Sequence, residues 1–164
     1  MSDDRKLLMP FTGPHYRWYT TLPWSDGVHL MATDTIIAAW MPTTEPKDVQ
    51  NPLVDNGKRP PTETHVIPKF PADISDAKPL PLKGTPSDKK AVILIDGLAY
   101  RPFDEEELDD YEFLRIDGKK FAVKLLLKIA ALGEPRYKLG THQGSDCMWF
   151  ECGKVRGILM GMAE

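Results

Sequence analysis

The sequence predicts an α+β fold, an antiparallel sheet with one main helix packed on it. Three observations lead there. Short runs of strand-favouring residues dominate the chain, turn residues separate them, and a single strongly amphipathic stretch lies late, at about 120–132. A chain of 164 residues suffices for one ordinary core. On length it is read as a single domain, 1–164, interrupted by a proline-rich loop or arm at about 42–86.

Residues 16–42 read as two or three adjacent strands. Tyr16, Trp18 and Tyr19 favour extended backbone, Ser25-Asp26-Gly27 supplies a turn, and Val28 to Ala32 alternates around His29 and Met31. Thr33-Asp34-Thr35 breaks the run, and Ile36 to Trp40 resumes it before Pro42. The stretch 42–86 then holds ten of the fifteen prolines. Missing backbone donors and absent apolar periodicity make it a long, partly extended loop, with a short strand at 64–67 as an option.

Val92 to Ile95 is an aliphatic strand ended by Asp96-Gly97, and Tyr111 to Ile116 is another, followed by Asp117-Gly118 in a hairpin or helix-entry role. The helix runs from about Lys120 to Leu132, with Gly133 and Pro135 as its stop. At about 100° per residue, Lys120, Lys124 and Lys128 share one narrow stripe, and Phe121, Leu125, Ile129 and Leu132 form the adjacent face. The C-terminus reads as a hairpin, Cys147 to Glu151 and Val155 to Met162, turning near Gly153. Gly157 and Gly161 inside the second strand mark a bulge, bend or close backbone approach.

The formal charge of −3 conceals segregation, because Asp104, Glu105, Glu106, Glu107, Asp109 and Asp110 carry six negative charges within seven positions. The rest of the chain is net basic, so total charge excludes neither nucleic acid nor a basic protein as partner. Two cysteines, Cys147 and Cys152, make no disulfide framework. The N-terminal Met-Ser-Asp-Asp-Arg-Lys is no secretory signal, and the longest clean apolar run, Ile36 to Met41, is far short of the ~20 residues that span a bilayer. The expected compartment is the cytoplasm of a bacterium or virus-infected cell, with no membrane association.

No residue set assembles recognisable catalysis. His142, Cys147 and Cys152 are the metal candidates, since thiolate and imidazole suit zinc. A fourth ligand is missing, however, and a separation of five along a strand puts the thiols on opposite faces. The acidic run lacks the spacing of a calcium loop. The histidines at 15, 29, 65 and 142 sit in unrelated segments, and Asp34, the one carboxylate singled out for a site, suits a tight-turn acceptor better. The expectation is therefore a protein without catalysis, cofactor or metal. The lysine stripe is the most function-like feature: three ammonium groups at successive turns could track a phosphate backbone without reading bases.

Two segments resemble the DNA sliding clamp family, the ring-shaped processivity factors of bacterial replicative polymerases. Gly27 to Asp34 with Ile36 to Trp40 is similar to the strand, Ala-Thr-Asp turn and following strand of bacterial-type clamp domains. Phe121 to Leu132 resembles the family's late helix, and Ile158 to Met162 its closing strand, which typically ends Met-Pro-Met. Gly161 stands where that proline would be, and the proline-rich stretch has no counterpart. The resemblance implies a DNA-clamp-like domain in a phage-encoded replication accessory, acting on duplex DNA through Lys120, Lys124 and Lys128. It also implies a pocket for replication proteins near Leu159, Met160 and Met162. Family chains carry two or three such domains, so a homo-oligomeric ring of this chain would need more subunits. A different class of function, a protein-interaction or inhibitor module using the acidic loop and proline-rich arm, fits the same residues.

Overall fold

The computed structural model describes residues 1–13, 22–48, 67–84, 90–96, 98–104 and 108–164. The strand expected around Tyr16 to Tyr19, residues 64–66 of the short optional strand, the middle of the proline-rich stretch and Glu105 to Glu107 lie outside them. The fold is α+β, with antiparallel strands and one main helix. The backbone divides into two compact units, residues 1–72 with 154–158, and residues 73–153 with 159–164. No helix among the described residues is long and apolar enough to cross a membrane.

The first unit opens with helix α1 (Asp3–Leu8), an element beyond the sequence expectations. The Ser2 hydroxyl accepts the Arg5 N–H at 3.2 Å, and Asp3 and Asp4 occupy the first turn, where the helix dipole favours anions. A 3-10 turn (Met9–Phe11) follows, and buried Leu8 and Phe11 belong to the unit's core. Strands β1 (Trp24–Ser25), β2 (His29–Thr33) and β3 (Ile37–Pro42) pair antiparallel in chain order. The register sets Trp24, Met31 and Trp40 in one cross-strand row, while Leu30 faces Met41 and Ala32 faces Ala39 on the opposite side. All seven are buried, so β2 and β3 are covered on both faces. Strand β12 (Val155–Met160), whose residues 155–158 belong to this unit, lies beside β3.

The turns before and after β2 are built alike. Asp26 Oδ1 accepts the N–H groups of Val28 and His29, and Asp34 Oδ1 accepts those of Ile36 and Ile37. The preceding hydroxyl, Ser25 or Thr33, accepts an N–H from Gly27 or Thr35, both of which have positive φ.

In the second unit, β10 (Arg136–His142) and β11 (Ser145–Cys152) form a hairpin around Gln143-Gly144, both at positive φ. Strand β4 (Lys78–Pro79) pairs with the other edge of β10. A separate three-stranded sheet runs β5 (Leu82–Gly84), β6 (Lys90–Ile95), β7 (Leu98–Asp104). A two-stranded ribbon pairs β8 (Phe113–Ile116) with β9 (Lys119–Ala122), and helix α2 (Val123–Ala130) follows at once and packs on β5.

The helix is thus shorter than the periodicity predicts. Asp117 (φ 50°) and Gly118 (φ 84°) form a hairpin turn, so residues 119–122 are drawn into a return strand, and the helix begins only after Ala122. Lys120 and Phe121 are strand residues; Lys124 and Lys128 alone of the stripe are helical. Val123, Leu126, Leu127, Ile129 and Ala130 are the helix's buried side.

Candidate functional site

The three lysines have different local partners. The Lys120 ammonium sits 4.2 Å from the Phe113 ring centroid, a cation–π contact across the β8–β9 ribbon. Lys124 Nζ lies 3.2 Å from Asp110 Oδ1, on a carboxylate that the acidic run itself supplies. Lys128 makes no ion pair with a described residue. The same pairing recurs through the second unit: Lys78 with Asp117, Lys119 with Asp146, Lys138 with Asp76 and Arg115 with Glu164 lie within 3.7 Å of each other. The Arg115 hydrogen bond holds the Glu164 carboxyl below its ordinary range. By sequence this unit has twelve Lys and Arg against sixteen Asp and Glu, a net −4, while the first unit has nine against eight, a net +1. The acidic character therefore resides where the stripe is.

Of the residues implied for partner binding, Leu159 is fully buried, and Met160 and Met162 are half-buried. The chain end is held by its backbone: Gly161 N–H donates to Asp146 O at 2.8 Å and Met162 N–H to Lys120 O at 2.9 Å. A Cβ on Gly161 would meet Asp146 O at 3.1 Å, and a proline there would have no N–H to give.

The zinc candidates have separate surroundings. His142 stands edge-on to Trp149 with ring centroids 6.0 Å apart, and Cys152 Sγ donates to Leu132 O at 3.4 Å. Burial, with a smaller contribution from the Asp146 charge, pushes the buried Cys147 thiol up to about 11. Among the described residues no group of three His, Cys, Asp or Glu side chains could hold a metal. Asp34 is a turn acceptor, as its place between β2 and β3 requires. Asp109 likewise accepts the Tyr111 N–H at 2.8 Å.

What the sequence reading did not single out is the end of the β6–β7 ribbon. Ile95 and Leu98 are directly opposed across the Asp96 turn, and a register slip between Ile93 and Leu94 leaves Tyr100 without an opposite residue. Leu98 is 74 %, Tyr100 70 % and Ile95 53 % exposed. Six positions, 95–100, thus hold three large apolar side chains in solvent, where a hairpin end ordinarily carries polar ones. The signal was present in Val92-Ile93-Leu94-Ile95-Asp96-Gly97-Leu98-Ala99-Tyr100: the apolar character continues straight through the turn dipeptide.

Comparison with known proteins adds no constraint. No family model, curated protein or solved structure matches this chain.

Proposed function

We propose that this chain is a non-enzymatic protein-interaction module that docks a partner protein through the exposed end of the β6–β7 ribbon. The single observation behind it is the exposure of Ile95, Leu98 and Tyr100 at one hairpin end. Aromatic and aliphatic side chains raised on a hairpin are suited to act as anchors, entering pockets of a partner at little conformational cost. The net charge of −4 in the same unit makes a basic partner surface the favourable one at long range.

The sliding-clamp resemblance supplies the second reading, a replication accessory on duplex DNA. Lys128, without an ion pair among the described residues, favours it; the Lys124–Asp110 pair and the acidic balance of the unit weigh against it. One experiment distinguishes the two. A displayed peptide library is selected on the folded chain and counter-selected on Leu98→Asp, and in parallel duplex DNA is titrated at two salt concentrations. The interaction reading expects enriched peptides that combine apolar and basic residues and lose binding to the variant. Peptides indifferent to Leu98→Asp, or no enrichment, would defeat it. DNA binding that is salt-sensitive and lost on Lys128→Glu would establish the second reading instead.

A further inference from the structure

The geometry points to a binding groove for a small amphiphilic anion, an apolar body carrying one carboxylate, between the β4–β5 corner and the end of helix α2. The groove encloses about 430 Å³, within the range of small-molecule sites. Its floor is apolar: Leu80, Leu82 and Pro135 are buried and Leu94 is half-buried. Two backbone hydrogen bonds hold that floor open, Leu80 N–H to Pro135 O at 3.3 Å and Leu94 N–H to Pro81 O at 2.9 Å. A ligand would meet a preformed site and lose little affinity to ordering it.

The rim determines the charge of the ligand. Lys83 and Arg136 stand against one anion, Glu134. Lys83 makes no ion pair with a described residue, and Arg136 spends one Nη2 hydrogen bond on Ala77 O, leaving other guanidinium donors to receive a carboxylate. The carbonyl end of helix α2 would oppose an anion, but three of its last four carbonyls, those of Leu127, Ile129 and Ala130, are engaged by backbone N–H groups. Ile129 O and Ala130 O accept from Leu132 and Gly133, and Leu132 O accepts from the Cys152 thiol. Net attraction for an anion remains at the rim, over an apolar floor that takes the hydrocarbon part.

Octanoate, octanol and octylamine, equal in chain length and different in charge, test this. Each is titrated into the full chain while backbone amide shifts are followed. Octanoate should bind most tightly, octanol about three- to tenfold more weakly, and octylamine no better than octanol, with shifts centred on Leu82, Leu94 and Gly133. Lys83→Glu, an exposed change that leaves the floor intact, should weaken octanoate about tenfold and spare octanol, whereas Glu134→Gln should tighten octanoate about twofold. Octylamine binding as well as octanoate, shifts centred elsewhere, or no binding of any of the three by about 10 mM would overturn the assignment.

Discussion

Removing the Arg5 guanidinium should cost the first unit more than any other single exposed-side change there. The side chain donates from Nε to Glu45 Oε1 at 3.0 Å, from Nη1 to Pro23 O at 3.0 Å and from Nη2 to Asp48 Oδ2 at 2.9 Å, tying helix α1 to the segments that flank β1 to β3. It is only 20 % exposed, and both carboxylates are less than one-third exposed, so water screens these bonds incompletely. A charge-assisted hydrogen bond contributes about 1.5–3 kcal/mol in such settings, and bonds sharing one donor group are not additive. Arg5→Ala should therefore destabilise by ~2–4 kcal/mol, reduced from the sum because Asp48 Oδ2 keeps its bond from Ser25 N–H. Arg5→Lys keeps the charge and loses the fork, so it should recover about half of that. The assay is urea unfolding monitored by tryptophan emission, with Trp24 and Trp40 buried in this unit. A double-mutant cycle with Asp48→Asn should give coupling above ~1 kcal/mol. A loss under ~0.5 kcal/mol for Arg5→Ala, or no coupling to Asp48, would refute the reasoning.

Two further outcomes are expected. Gly161→Ala should cost ~1 kcal/mol, because its Cβ would crowd Asp146 O, and Gly161→Pro ~2–3 kcal/mol, because it also removes the N–H donor; equal effects in urea unfolding would show that the hydrogen bond contributes nothing. Alkaline pH should destabilise the chain between about 9 and 11. The unfolded Cys147 thiol loses its proton near 9.0 and the folded one near about 11, so the stabilisation is fully present below the first value and lost as pH rises through the second. At about 1.4 kcal/mol per unit the upper bound is ~2–3 kcal/mol. Cys147→Ala should remove the loss between about pH 9 and 10 and shallow it from 10 to 11 in denaturant midpoints, leaving the loss from Tyr137, whose hydroxyl burial and Asp117 push up from 10.0 to about 12.

The legible parts of the sequence were those where local chemistry and tertiary structure agree. Asp34 and the Asp117-Gly118 pair were readable because side-chain acceptors and positive-φ positions declare themselves within four residues. The helix start was not, because Lys120 and Phe121 satisfy a helical period as well as a strand and only pairing with Leu114 and Arg115 decides between them. Strand β10 was passed over although Tyr137, Leu139 and Thr141 alternate with Lys138 and Gly140; one partner, β11, follows directly through Gln143-Gly144, but the other, β4, lies far back in the chain. Helix α1 carried a readable cap, Ser2 before Asp3 and Asp4, but its six residues are too few to show an apolar period. Lys120 stands apart from Lys124 and Lys128 for the same reason: it belongs to β9 and they belong to α2. The ribbon end was missed because exposure of an apolar residue is a tertiary fact, and Leu98 looks like any core leucine until β7 is seen to have β6 as its one partner among the described residues.

The matching turns at Asp26 and Asp34 have a consequence for how β2 behaves under stress. A strand buried on both faces gains nothing from burial pattern alone to prevent sliding by two residues, since such a shift keeps every side chain on its own face. Here each end is fastened by an aspartate that recognises two specific amides, so sliding would forfeit both sets at once. The strand behaves as a bolt with a nut at either end, and mechanical or thermal loosening of this unit should begin at its helix and outer strands while β2 keeps its alignment.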